Sequence, residues 1–167
     1  MSPPIEGRVH RFGDNIDTDV LAPGLYMKSP LAELARHCLE AVDAGFVARV
    51  KPGDLVVAGD NFGMGSSREQ AAEALLANGI AAVLAVSFGR IFYRNALNLG
   101  LPALVCSSAR EIADGAVLRV DPLAGRAVEA ANGRVHACEP IPPHLLAIIA
   151  DGGLLPHLEK TLKARHG

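Results

Sequence analysis

The feature of this sequence that most constrains its fold is a glycine-rich turn between a short apolar run and an alanine-rich stretch. The turn covers residues 59–70 and reads Gly-Asp-Asn-Phe-Gly-Met-Gly-Ser-Ser-Arg-Glu-Gln. The apolar run at 55–58 is typical of a buried strand, and the stretch at 71–78 predicts a helix that Gly79 ends. The sequence therefore predicts a strand, a flexible turn and a helix in direct succession.

The glycines of the turn favour the binding of a ligand close to the backbone. Gly59, Gly63 and Gly65 can adopt positive φ angles and leave no Cβ in the way of a ligand. The first turn of the following helix directs its unpaired N–H groups and the positive end of its dipole at the same place. We expect the turn to bind an anion.

Two nucleotide-binding patterns fit such a turn in outline, but neither matches its residues. The Walker pattern requires a Lys before its Ser or Thr, and the dinucleotide pattern requires a Gly where Arg68 stands. Ser66, Ser67 and Arg68 suit a carboxylate instead, because a guanidinium can bind one through two parallel hydrogen bonds. A simpler alternative stays open, in which Ser66 or Ser67 caps the helix and Glu69 or Gln70 completes a capping box.

Composition limits the class of protein. The chain has 167 residues, 50% of them hydrophobic, so we expect one domain over residues 1–167. A formal charge of −2 gives no electrostatic reason to expect nucleic acid or an anionic membrane as a partner. The apolar runs are too short to span a bilayer and no signal-peptide pattern is visible. These observations predict a cytoplasmic protein.

The cysteines predict neither a disulfide framework nor a metal site. Cys38, Cys106 and Cys138 are scattered and show no C-x-x-C spacing. His136 and Cys138 would share one face of a strand, but the remaining ligands of a metal site cannot be named. We expect three core thiols and no metal bound by this chain.

Around the turn, short strands and helices alternate. Strands are predicted at 7–12, 55–58, 80–86, 102–106 and in a hairpin meander at 117–120, 126–131 and 134–138; helices are predicted at 31–39, 71–78, from 88, from 107, at 142–149 and at 154–163. The pattern predicts an α/β domain whose sheet is mixed in strand direction.

Three motifs of the chain resemble the small subunits of isopropylmalate isomerases (3-isopropylmalate dehydratases). They are the turn itself, Asn-Ile-Asp-Thr-Asp at 15–19 and Ser-Phe-Gly-Arg-Ile-Phe at 87–92. The resemblance covers residues 7–160. It implies a swivelling β/β/α domain like the fourth domain of aconitase.

The resemblance also implies an activity and a partner. Such a subunit belongs to a hydro-lyase of leucine biosynthesis that isomerises 2-isopropylmalate to 3-isopropylmalate by dehydration and rehydration. It is active only with a large subunit, which carries a [4Fe-4S] cluster, and the isolated chain is a possible homo-oligomer. By the same resemblance Ser66 is the catalytic base and Arg68 binds a carboxylate of the substrate. We expect Ser67 to support the turn or to donate a hydrogen bond to the bound substrate. The supporting residues are Asp19, Gly63, Gly65 and Arg90.

One segment of the resemblance departs from the family pattern. Residues 23–30 correspond to the substrate-selecting loop, and Lys28 stands where the family often has an Arg that meets a substrate carboxylate. Leu21, Leu25, Tyr26 and Met27 offer an apolar lining that suits an isopropyl group better than a third carboxylate. Isopropylmalate is therefore the expected substrate. The small subunit of a homoaconitase or a methylated-malate dehydratase, and a non-catalytic dicarboxylate-binding module, stay open as alternatives.

Overall fold

The computed structural model describes residues 4–166 and has a seven-stranded sheet at its centre. Its strands are β1 (Ile5–Arg11), β2 (Leu55–Ala58), β3 (Ala82–Ala85), β4 (Ala103–Val105), β5 (Val117–Asp121), β6 (Arg126–Glu129) and β7 (Val135–Ala137). They lie in the order β4-β3-β2-β1-β5-β6-β7.

Strand β1 joins a parallel half of the sheet to an antiparallel half. Its residues 9–11 pair with β2 in parallel, and its residues 5–8 pair with β5 in the antiparallel sense. β3 and β4 extend the parallel half, while β6 and β7 complete the meander that the sequence predicts. Every residue of β2 and β3 is buried, as expected for parallel strands covered on both faces. The predicted mixed α/β fold is confirmed.

The helices connect and cover the parallel strands. They are α1 (Thr18–Leu21), α2 (Leu31–Ala35), α3 (Phe46–Arg49), α4 (Glu69–Ala77), α5 (Arg90–Asn98), α6 (Pro143–Ala150) and α7 (Leu154–His166), with 3-10 turns at Gly24–Tyr26 and Ala109–Glu111. Within residues 4–166, no helix combines the length and the apolar character needed to cross a membrane.

Two predicted helices differ from the structure. α2 ends at Ala35, and the rest of its predicted apolar stripe lies in turns, because Leu39 takes a left-handed conformation with φ 64° that a helix cannot include. The predicted helix from 107 is only the 3-10 turn Ala109–Glu111, and the Ser108 side chain does not cap it. Both segments still bury apolar residues, which is why the sequence pattern resembles a helix.

The parallel half of the sheet gathers its loops at one edge. The carboxyl ends of β2, β3 and β4, and of the paired half of β1, all point the same way, because these strands are parallel. Loops at the carboxyl ends of parallel strands are the usual place for ligand sites in α/β sheets. The glycine-rich turn, which follows β2, lies at this edge.

An aromatic cluster supports the turn from below. The ring centroids of Phe62 and Phe92 lie 5.3 Å apart, and those of Phe88 and Phe92 lie 6.2 Å apart. Gly63 has a φ of +79°, and a Cβ built on it would overlap the ring of Phe92. The turn can approach α5 only because position 63 is glycine.

This close approach predicts the cost of adding one methyl group. Gly63→Ala should lower the free energy of unfolding by about 3 kcal/mol or more, because it adds a steric overlap to the strain of a positive φ. Gly115→Ala is the matched control, since Gly115 has a φ of +83° and nothing within 4 Å of its would-be Cβ. It should cost only about 1–2 kcal/mol. Urea unfolding of both variants measures the difference, and equal losses would contradict the steric argument.

Candidate active site

Backbone hydrogen bonds fasten the glycine-rich turn to the loop that follows β1. The Gly63 N–H donates to the Ile16 carbonyl at 2.6 Å, and the Thr18 N–H donates to the Met64 carbonyl at 2.8 Å. Gly65 has a φ of +110°, and a Cβ there would come within 3.1 Å of the Thr18 hydroxyl oxygen. The two glycines therefore let residues 16–18 lie directly against the turn.

The two serines are exposed, and neither caps the helix that follows. The N-cap residue of α4 is Arg68, and no side chain makes a capping hydrogen bond there. The capping-box alternative is therefore wrong for this helix. The Ser66 hydroxyl oxygen lies 3.3 Å from the Thr18 hydroxyl oxygen, and both Ser66 and Ser67 are open to solvent. Ser66 thus stands at the amino end of α4. Within the described residues, its hydroxyl has the Thr18 hydroxyl as its one hydrogen-bond partner.

Arg68 is held by an ion pair across the two loops. Its Nη1 donates to an Asp19 carboxylate oxygen at 3.0 Å and to the Ala22 carbonyl at 3.1 Å. The same Asp19 oxygen accepts the Gly24 N–H at 2.9 Å. The hydrogen bond from Arg68, followed by that from Gly24, lowers the pKa of Asp19. Within the described residues the guanidinium uses only Nη1, so its Nε and Nη2 remain for a ligand.

Asp19 also connects Arg68 to the segment expected to select the substrate. Gly24 opens the 3-10 turn Gly24–Tyr26, and the Tyr26 ring is stacked on His37 with centroids 3.6 Å apart. Leu25 is 84% exposed and Lys28 is exposed as well, so both can meet a ligand or a partner. Leu21 is fully buried, so the expectation that it lines a pocket is wrong; it supports the segment from the core.

Arg90 lies at the start of α5, next to the turn. Gly89 precedes it and donates its N–H to the Phe62 carbonyl at 2.8 Å, and a Cβ on Gly89 would lie 2.8 Å from the Gly63 carbonyl oxygen. Arg90 itself is exposed. The amino end of α5 therefore packs on the turn and leaves the Arg90 side chain at the surface of the same edge.

Sequence reasoning missed a charged clamp that holds the start of the turn. Arg110 Nη2 lies 2.8 Å from an Asp14 oxygen and 2.7 Å from an Asp60 oxygen. Asp60 also accepts the Ser87 hydroxyl at 3.0 Å, and its N–H donates to Asp14 at 2.8 Å. Arg110 is 50 residues from Asp60 along the chain, so no local motif predicts the contact. We name residues Asp14, Asp60, Ser87 and Arg110 the edge clamp.

Thr18 was also missed as a neighbour of Ser66. It sits inside the Asp-Thr-Asp motif whose acidic members drew attention, and it is buried with only 3% of its surface exposed. Its position in the sequence could have indicated a role. Thr18 lies between Asp17, which caps α1 by accepting the Val20 N–H, and Asp19.

The described residues do not fit a metal ion or an iron–sulfur cluster. Across residues 4–166, no three His, Cys, Asp or Glu side chains are grouped so that they could hold a metal. Burial raises the pKa of the Cys38 thiol to about 12, so Cys38 is a poor ligand for such a cluster.

Comparison with known proteins gives matches over nearly the whole chain. The family described as "Aconitase C-terminal domain" matches residues 21–109. The 3-isopropylmalate dehydratase small subunit of Moorella thermoacetica is 45% identical over 161 residues, which are 95% of this chain and 97% of that protein. The methanogen homoaconitase small subunit of Methanothermobacter thermautotrophicus is 45% identical over 159 residues, which are 95% of this chain and 92% of that protein.

A solved structure has the same fold. The crystal structure of a 3-isopropylmalate dehydratase from Methanocaldococcus jannaschii superimposes with a TM-score of 0.90 at 42% identity. The match covers 98% of this chain and 99% of the solved one. The mixed sheet with its helices is thus the fold of an aconitase-type small subunit.

The ion pair between Arg68 and Asp19 predicts a change in titration. Arg68→Gln should raise the pKa of Asp19 toward its ordinary value, because the hydrogen bond from Arg68 is the largest cause of its lowering. NMR titration of the side-chain carboxyl carbons measures this directly. Arg110→Gln is the matched control: it should raise the pKa of Asp60, which Arg110 lowers, and leave Asp19 unchanged. If the pKa of Asp19 stayed the same in Arg68→Gln, the result would contradict the ion pair.

Proposed function

We propose, from the premise that this chain belongs to the aconitase C-terminal domain family, that it is the small subunit of a 3-isopropylmalate dehydratase. This enzyme is a hydro-lyase of leucine biosynthesis that removes water from 2-isopropylmalate and adds it back to give 3-isopropylmalate. The observation that carries the proposal is the turn at the amino end of α4, where Ser66 stands beside an Arg68 that Asp19 holds in place. We place the working protein in the cytoplasm.

The reaction needs a base for a weakly acidic proton. The proton is removed from the carbon next to a carboxylate, and a hydroxyl group leaves the adjacent carbon. Ser66 is the proposed base, since the amino end of α4, the N–H groups of the turn and the Arg68 charge all favour its alkoxide. Thr18, 3.3 Å away, can donate a hydrogen bond to the same oxygen. In the reverse direction Ser66 returns the proton.

The substrate carboxylate has a receptor in Arg68. The nitrogens that do not bind Asp19 or Ala22 can bind a carboxylate, while Asp19 and the Ala22 carbonyl hold Nη1. Ser67 is exposed beside it and would donate a further hydrogen bond. Gly63 and Gly65 keep the backbone of the turn open to the substrate, and Arg90 borders it from α5. These roles agree with an anionic substrate of small size.

The complete enzyme requires a large subunit. The leaving hydroxyl group needs a Lewis acid, and the part of the chain that the structure describes holds no group of side chains that would bind one. We assign it to a [4Fe-4S] cluster held by the large subunit. The chain itself then contributes the base and the carboxylate receptor.

Isopropylmalate is the favoured substrate, and the homoaconitase alternative is not favoured. Homocitrate-type acids carry one more carboxylate than isopropylmalate, and its burial beside apolar side chains would be costly. The exposed Leu25 and the half-buried Met27 offer such side chains on the selecting segment. Lys28 is exposed and supplies a single point charge in place of the planar fork of an Arg.

The first test concerns Ser66. In the complex with the large subunit, Ser66→Ala should reduce the dehydration of 2-isopropylmalate by about a thousandfold or more, because the base is lost. Ser67→Ala is the matched control, and its loss should be much smaller. The chain without its partner should show no turnover at all. Small and equal losses in both variants, or turnover by the isolated chain, would overturn the proposal.

The second test concerns Lys28. The values of kcat/KM for 2-isopropylmalate, homocitrate and dimethylmalate should be compared in the complex for the native chain, Lys28→Arg and Lys28→Ala. We expect 2-isopropylmalate to be preferred, and Lys28→Ala to weaken use of all three because a cation near the substrate carboxylate is removed. Lys51→Ala is a control, since Lys51 lies in the loop before β2 and away from the turn. A preference for homocitrate, or no effect of Lys28→Ala, contradicts the assignment of the segment.

A further inference from the structure

Two cysteines that are distant in the sequence lie side by side at the end of β4. Cys106 follows β4 and Cys138 follows β7, and the Glu139 N–H donates to the Val105 carbonyl at 2.8 Å. The two cysteines flank this backbone hydrogen bond, which brings residues 106 and 138 next to each other. Their thiols are within hydrogen-bonding reach of each other. A disulfide can join two cysteines only when they are neighbours of this kind.

A chain of polar side chains leads from Cys106 to a buried carboxylate. The Cys106 sulfur lies 3.8 Å from the Ser108 hydroxyl oxygen, which lies 2.7 Å from His136 Nδ1. His136 Nε2 lies 2.8 Å from a Glu129 carboxylate oxygen. The His136 side chain is 1% exposed and that of Glu129 is 13% exposed. Nothing in the proposed dehydratase reaction uses these four residues.

We propose that Cys106 and Cys138 are a redox modification site, at which a peroxide converts the two thiols into a reversible disulfide. The site does not depend on the proposed function. Its elements are two neighbouring thiols, and a serine, a histidine and a glutamate arranged to take the proton of one of them.

The surroundings of the two thiols divide their roles. The hydrogen bond from Cys138, and then those from Ser108 and the charge of His136, lower the pKa of Cys106 to about 6. The hydrogen bond to Cys106 and then burial raise the pKa of Cys138. Cys106 is the thiol whose proton can pass through the Ser108 hydroxyl to His136, whose other nitrogen donates to Glu129, so we assign Cys106 as the attacking thiol. Cys138, which is partly exposed, is the resolving thiol and the side from which a small oxidant reaches the pair.

The reaction balances with hydrogen peroxide as the oxidant. The Cys106 thiolate attacks one peroxide oxygen, the O–O bond breaks, and the departing hydroxide takes the proton from His136 to form water. The sulfenic acid on Cys106 is then attacked by the Cys138 sulfur. The S–S bond forms, the S–O bond breaks, and the departing hydroxide takes the Cys138 proton to form a second water. Two thiols are oxidised and one peroxide is reduced.

The third cysteine is an internal control. Cys38 and Cys106 are both fully buried, but burial raises the pKa of the Cys38 thiol to about 12, whereas Cys106 has Ser108 and Cys138 as hydrogen-bonding neighbours. It lies on the segment after α2, far along the chain from the pair, and is not among the groups that perturb Cys106 or Cys138. A site-specific oxidation must therefore spare Cys38.

The experiment maps the thiols of the full chain after oxidation. The reduced protein is treated with a small excess of hydrogen peroxide, denatured in an alkylating agent, digested and examined by mass spectrometry. We expect a peptide pair linked through Cys106 and Cys138, an alkylated Cys38, and loss of the link after treatment with dithiothreitol. Three alkylated cysteines, sulfinic acid without a link, or a disulfide that includes Cys38 would each overturn the proposal.

A second measurement tests the polar chain. At pH 5, Ser108→Ala should form the disulfide at least about threefold more slowly than the native chain, because the Cys106 thiolate loses a hydrogen-bond donor. Ser107→Ala is the matched control, since Ser107 is the exposed neighbour, and its rate should equal that of the native chain. Equal rates in Ser108→Ala and the native chain would show that Ser108 does not activate Cys106.

Discussion

The contact between the loop after β1 and the turn after β2 is the interaction on which the rest of the site depends. It includes the hydrogen bonds from Gly63 to Ile16 and from Thr18 to Met64, which cross between two neighbouring loops. These loops meet only because residues 9–11 of β1 run parallel to β2, so that both strands end at the same edge. An antiparallel pairing would have sent the two loops to opposite edges. Strand direction therefore decides whether Ser66 and Thr18 can be neighbours at all.

Ion pairs then hold together the loops that the backbone hydrogen bonds bring into contact. Arg68 spans from the turn to Asp19, and Arg110 spans from the 3-10 turn after β4 to Asp14 and Asp60. The Arg110 pairs are about half exposed, and exposed ion pairs contribute little to the free energy of unfolding. These ion pairs instead set the positions of the loops, because one guanidinium holds two carboxylates that follow different strands. The edge clamp and the Arg68 pair thus orient the turn from its two ends.

The sequence predicts the parallel half of the fold well, because continuous apolar runs such as 82–85 have few alternatives to a buried strand. It also predicts the turn, whose glycines, serines and arginine are adjacent in the chain. It does not predict the partners of these residues. Arg110 meets Asp60 across 50 residues, and Cys106 is brought next to Cys138 by the hydrogen bond from Glu139, after β7, to Val105 at the end of β4. The sequence does not predict the early end of α2 either. The left-handed conformation of Leu39 depends on tertiary structure, which the periodicity of apolar residues does not encode.

The exposure of the turn gives a physical reason for a division of labour between two subunits. Ser66 and Ser67 are open to solvent, and the Arg68 side chain is 27% exposed. In water, the dipole of α4 and the Arg68 charge would be screened, and they could do little to favour a serine alkoxide. The same groups act far more strongly once a second protein surface excludes water from the turn. The proposed base would therefore become effective only in the assembled enzyme, when the surface that supplies the Lewis acid also removes the solvent.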